Sequence, residues 1–158
     1  MNYLVLEWSG DQTIATWTAQ GGNKPSGGDQ RGAENMFDAD DQTIWHAFIP
    51  ADSSVDSGVT IEFKEAIVFH KLVITARPQT VNQSRFREVC LFLNGESTDC
   101  TSKDRVTSSS EKIEFKSNVA VDNVTKVELR FGVKSPVLAD LVIFYLPGES
   151  EGEYTVFV

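Results

Sequence analysis

Three side chains in one short stretch carry oxygens at a spacing that suits a hard cation. The stretch reads Asn35-Met36-Phe37-Asp38-Ala39-Asp40-Asp41-Gln42-Thr43-Ile44-Trp45. Asp38 and Asp40 alternate, so on a tight turn both carboxylates can aim at one centre. Thr43 adds a hydroxyl three residues later. Calcium takes six to eight oxygen ligands, and a loop of this kind supplies them. The same residues also read as an acidic surface turn, because Asp initiates turns by bonding to its own backbone.

The pattern of a small residue, Asn, an apolar pair and then Asp-x-Asp-x-x-Thr-x-Trp resembles the early signature of discoidin domains. These are also called coagulation-factor type C domains, and the superfamily includes galactose-recognising carbohydrate-binding modules. The resemblance implies an all-β antiparallel jelly-roll sandwich of the galactose-binding-like type, with a structural calcium on this loop. Gly usually follows the first Asp in that signature; here it is Ala39, which resists backbone conformations that Gly permits. The resemblance also implies a late strand opening on an Ala-acid pair. Ala139-Asp140 fills that place, directly before Leu141-Val142-Ile143. Carried over residue by residue, Asp38, Asp40, Thr43 and Asp140 become side-chain or mixed ligands. Asn35 and Ala139 become backbone carbonyl donors. An acid entering an apolar strand needs a partner, since an unpaired buried charge is costly.

A second set, His46, Arg77 and Asn82, matches places held by a His, an Arg and an Asn in the galactose-binding modules. An Arg fork donates to an axial hydroxyl, a neutral imidazole nitrogen accepts from it, and an Asn amide serves vicinal hydroxyls. The three belong to different segments, as binding residues on a rigid scaffold usually do. A sugar site also needs an aromatic wall. The loop Gly132-Val133-Lys134-Ser135-Pro136 has none, so Phe48 and Trp17 are the substitutes; Trp45 sits at the resembling family's structural tryptophan position and is expected in the core. The expected function is a non-catalytic carbohydrate-binding module or lectin for galactose or N-acetylgalactosamine, with glycans or glycoproteins as partners. The alternative is a calcium-stabilised protein-interaction or cell-adhesion domain with no sugar site. An apolar loop patch with His46 buried would favour that alternative.

Catalytic signatures are lacking. His46 and His70 are the two histidines, and there is no Gly-x-Ser-x-Gly elbow, phosphate loop, dinucleotide fingerprint or Cys/His zinc spacing. Acidic pairs suited to a glycosidase are present, but a jelly roll this small leaves little room for a deep cleft. The net charge of −9 repels phosphate backbones and argues against nucleic acid. It argues equally against the anionic lipids that some discoidin relatives bind, and suits a neutral ligand. No apolar run reaches membrane-spanning length, so membrane insertion is not expected. Residues 1–8 do not read as a signal peptide. An extracellular or cell-surface location is favoured.

The elements that must position these residues read almost entirely as strands. With 158 residues, a single domain is expected, with a discoidin-like core over about residues 10–146 and terminal strands at 1–9 and 147–158. Val59–Phe63 and Val127–Phe131 alternate with period two. Leu72–Ala76, Val89–Leu93 and Ile113–Phe115 are short apolar or alternating runs, and Leu141–Tyr145 is apolar enough for a strand buried on both faces. Ala33–Phe37 is the one helical turn. The terminal runs Tyr3–Leu6 and Tyr154–Val158 are expected near each other. Cys90 and Cys100 flank Asn94-Gly95, a strong hairpin signal. A three-residue loop would set the cysteines opposite each other, and a two-residue loop would offset them by one. A disulfide would imply an oxidising compartment. Two sequons, at Asn82 and Asn123, would matter only in a eukaryotic secretory protein.

Overall fold

A computed structural model describes residues 5–23, 32–40, 43–49, 52–76, 88–102, 111–132 and 137–148. Its strands are β1 (Leu6–Trp8), β2 (Ala15–Gln20), β3 (Gly22–Asn23), β4 (Trp45–Phe48), β5 (Gly58–Ala76), β6 (Glu88–Leu93), β7 (Glu96–Ser102), β8 (Glu111–Phe131) and β9 (Val137–Pro147). A 3₁₀ turn, Ala33–Phe37, stands where the helical turn was expected. All pairings are antiparallel, and the strands form a jelly-roll sandwich.

Two long strands build both layers. β5 and β8 pair along most of their length, with register shifts between Glu62 and Lys71. Below the shifts, the Gly58–Glu62 part lies between β2 and β8, and β8 continues to β6 and β7. Beyond them, Ile67–Ala76 lies between β8 and β9, and β9 continues to β1 and β4. Bulges bend a strand and increase its twist, which lets one strand pass from one layer into the other. The separate runs 59–63 and 72–76 of the sequence are thus halves of one strand, as are 113–115 and 127–131.

The inward side chains follow the period-two pattern. Val59, Ile61, Val89, Leu91, Val127, Leu129 and Phe131 face Leu72, Ile74, Phe115, Leu141 and Ile143, and all are essentially buried. β9 departs from expectation on its outer side. Val142 and Phe144 are only half-buried, with the Lys71 ammonium 4.9 Å from the Phe144 ring centre. The lysine stem and charge cover that face in place of a third layer. At the N-terminal end, β1 pairs with β9, Trp8 opposite Ile143; the run Tyr154–Val158 lies outside the described residues.

The β6–β7 hairpin settles the cysteine pairing. Its turn has two residues, Asn94 and Gly95, both with positive φ. Leu93 opposes Glu96 and Phe92 opposes Ser97, but Leu91 opposes Asp99, so Thr98 is an inserted bulge residue. That extra residue cancels the offset of a two-residue loop. Cys90 then faces Cys100 directly, with Cα atoms 4.1 Å apart, and the two are disulfide-bonded. Asn94 also ties the hairpin to β8. Its side-chain oxygen accepts from the backbone N–H groups of Thr125 (3.0 Å) and Lys126 (3.1 Å), and its amide donates to the Asn123 carbonyl at 2.9 Å.

Two stability predictions follow from this hairpin. Reduction, or the Cys90→Ala/Cys100→Ala pair, should lower stability by at most about 3 kcal/mol, because the closed loop is short; urea unfolding with and without reductant measures it. Asn94→Gly keeps the backbone freedom but loses the bonds, and Asn94→Ala loses both. Asn94→Ala should therefore be the more destabilising, by about 1 kcal/mol beyond Asn94→Gly, with paired denaturation curves as the check.

Candidate functional site

The acidic loop is held by its own side chains. Asp38 accepts from the Asp40 N–H at 3.0 Å and from the Thr43 hydroxyl. That hydroxyl also lies 2.9 Å from the Asp40 carbonyl. Between the two carboxylates, Ala39 has φ +59°. This is the left-handed region where Gly is at home, so the Gly of the resembling signature has a physical reason and Ala39 carries strain in its place. Ahead of the loop, the 3₁₀ turn is stapled across it: the buried Asn35 side chain donates to the Ile44 carbonyl at 2.8 Å.

The opposite end of the chain arrives beside this loop. Ile44 and Ala139 pack together in a small buried cluster of their own. Ala139 and Asp140 are therefore next to the loop, with Asp140 opposite Thr75 on β5 and half-buried. The donor types of Asp38, Asp40, Thr43, Asp140 and the Asn35 and Ala139 carbonyls are all oxygen, as calcium requires. Their carboxylates are not pre-gathered, however. Among the described residues no three acidic, His or Cys side chains cluster closely enough to hold a metal. Asp38 is already committed to the turn.

His46 sits at the end of β4, opposite Val137, and Trp45 sits opposite Leu138. Leu138 in turn faces Ala76, the last residue of β5. The strand ends that lead into 77–87 and away from 133–136 thus lie side by side with His46. Arg77 and Asn82 themselves lie outside the described residues. His46 is 0% exposed, the condition that favours the protein-interaction alternative. On the alternating positions Trp45 and Ala47 are buried as well, and Trp45 packs edge-on against Phe131 in the core, as expected.

The aromatic candidates divide. Trp17 lies in a row of rings: it packs on Phe37 at 4.9 Å, Phe37 on Trp8 at 5.3 Å, and Trp8 on Phe63 at 6.0 Å. This packing at the core margin accounts for Trp17 without a ligand. The backbone of Phe48 pairs with Gly22, and its side chain lies outside the described residues. What the sequence reading missed is a groove on the outer face of the β2–β5–β8–β6 layer, lined in part by Gln20, Asp56, Phe92, Glu128 and Arg130. The alternation in Val127–Phe131 already turned Glu128 and Arg130 outward; nothing in the spacing showed which outward residues of other strands would join them.

No protein-family model and no curated protein matches this sequence. Solved structures do. One is the family 32 carbohydrate-binding module of NanJ from C. perfringens, in complex with galactose, at 14% identity and TM-score 0.60, covering 88% of this chain and 99% of that one. Another is the CpGH89CBM32-5 module of Clostridium perfringens, in complex with GalNAc-β-1,3-galactose, at 20% identity and TM-score 0.57, covering 84% and 96%. A third is an F5/8 type C domain from Bacteroides fragilis, at 11% identity and TM-score 0.64, covering 94% and 99%. The fold of this chain is that of the discoidin, or F5/8 type C, domains and the family 32 carbohydrate-binding modules.

Proposed function

We propose that this domain is a non-catalytic carbohydrate-binding module, or lectin, for galactose or N-acetylgalactosamine, with a structural calcium on the 38–43 loop. The observation that carries the sugar reading is the shared architecture, over nearly the whole chain, with two modules solved holding galactose or a GalNAc-galactose disaccharide. His46, Arg77 and Asn82 are the proposed polar contacts, with Phe48 as the stacking wall. Calcium is supported by the oxygen-only donor set and by the Ile44–Ala139 contact that packs the start of β9 beside the loop. Bound there, it would neutralise Asp38, Asp40 and Asp140 and lock the loop to β9. The cross-strand disulfide supports an oxidising, extracellular or cell-surface setting.

The second reading, a calcium-stabilised protein-interaction or adhesion domain, is favoured by one observation, the complete burial of His46. A solvent-shielded imidazole is a poorer first contact for a sugar than a rim residue.

Calcium binding is tested by melting in chelator and in millimolar calcium. The melting temperature should rise with free calcium, since binding the native state stabilises it by mass action, and Asp38→Ala should abolish that rise. Ala39→Gly should act differently. It should raise stability by about 1 kcal/mol in chelator, by relieving the left-handed strain. An identical melting point in both media would exclude the metal.

Sugar binding is tested by NMR titration with galactose and N-acetylgalactosamine. A single shallow site predicts weak affinity, on the order of 0.1–1 mM. Arg77→Ala should remove binding without changing the melting temperature. Absence of any shifted signal with either sugar would give the protein-interaction reading the advantage.

A further inference from the structure

The outer face of the β2–β5–β8–β6–β7 layer carries a row of residues in register. Gln20 faces Gly58, Gly58 faces Arg130, Arg130 faces Cys90, and Cys90 faces Cys100. The next outward row is Thr18, Thr60, Glu128, Phe92 and Ser97. Gly58 is the gap in the first row. A Cβ there would lie 3.0 Å from the Leu129 carbonyl and 3.6 Å from the Gln20 side-chain oxygen, so the position is too close-packed for a side chain, and Gln20 and Arg130 flank bare backbone beside the groove. Val55, Asp56 and Ser57 wall it, held to β8 by the Phe131 N–H bonding the Ser57 carbonyl at 3.0 Å. The groove has a volume of about 410 Å³, within the range of small-molecule sites.

The polar groups are fixed before any ligand arrives. The Arg130 guanidinium lies 3.8 Å above the Phe92 ring centre and donates to Glu128 at 3.2 Å. Glu128 is also 3.7 Å from the Lys126 ammonium. The stack and the ion pair hold the guanidinium plane in place, while its side chain stays 55% exposed. The groove holds Asp56, Glu128 and Arg130, and beside it Lys126 stands opposite Glu62. Such a surface offers no excess attraction to an anion. It offers planar, oriented donors and acceptors from Arg, Glu, Gln and Asp, which suits the hydroxyls of a neutral sugar.

We infer that this groove is a second saccharide site, built from residues other than His46, Arg77 and Asn82, and that it takes a neutral hexose unit of a glycan. The inference rests on the carbohydrate-binding reading above and extends it to a second contact on the same domain. Two weak contacts on one glycan raise its overall affinity, because the second binding event becomes intramolecular.

The test is an NMR titration of the intact domain with galactose, with GalNAc-β-1,3-galactose, and with a disaccharide carrying a uronic acid. Signals of Gln20, Gly58, Phe92 and Arg130 should shift with the neutral sugars, and the shifts should survive Arg77→Ala. Arg130→Ala and Gln20→Ala, checked for an unchanged melting temperature, should each weaken that set of shifts at least tenfold. Arg130→Lys should fail to restore it, because an ammonium lacks the planar fork. Shifts confined to the surroundings of His46 would overturn the groove while leaving the carbohydrate reading intact. Preference for the uronic acid would overturn the neutral ligand class. No shift anywhere would overturn both.

Discussion

The pairing of β5 with β8 is the constraint on which the rest of the structure depends. These are the two strands that run through both layers, and their register decides which side chains of either layer face inward. A slip of one residue would turn Val59, Ile61, Val127 and Leu129 outward and bring Thr60, Glu62, Lys126 and Glu128 into the core. Burying those charges without partners is far more costly than any turn or hairpin could offset. The register is therefore fixed by the alternating pattern itself, and the shifts between Glu62 and Lys71 are tolerated because they occur where the strands change layers.

Everything proposed to bind a ligand hangs from the ends or the outer side of that pair. β9 pairs along the distal half of β5, and its Ala139 packs on Ile44 beside the acidic loop. β4 pairs with the start of β9 and fixes His46. The proximal half of β5 places Gly58 beside Arg130 and opens the groove. The same register thus sets both the strand position of His46 and the row on the outer face.

The strands themselves were legible in the sequence because burial imposes a period, and Val127–Phe131 or Val59–Phe63 show it without help from any neighbour. Trp45 in the core and the turn at Ala33–Phe37 were legible from the resemblance and the local pattern. Less could be read where two segments must meet. The cysteine register depended on a bulge at Thr98, a residue with no turn signal of its own, because a bulge is set by the twist of both partner strands. His46 was read as a ligand contact by analogy, and its complete burial has no signal in its own residue type. Trp17 was offered as a sugar wall because exposed aromatics often serve as one. Its actual partner, Phe37, is twenty residues away in sequence, and no periodicity links them.

Ala39 shows how a departure from a family pattern can be read physically. The left-handed φ of +59° is imposed by the hydrogen bonds that Asp38 makes to Asp40 N–H and to Thr43. Those bonds fold the loop back on itself, so the residue between the two acids has to turn through a conformation that a Cβ opposes. The loop adopts that shape in spite of Ala, which means the side-chain bonds outweigh the strain of about 1–2 kcal/mol. A cation bridging Asp38, Asp40 and Asp140 would add to the same side of that balance, since it favours the same folded-back loop and removes the repulsion between the carboxylates. Strain at Ala39 and charge at the acids thus bear on one loop, the first lifted by Gly and the second by calcium. Because Ala39 stands between two of the proposed ligands, the two effects on stability should be coupled rather than additive.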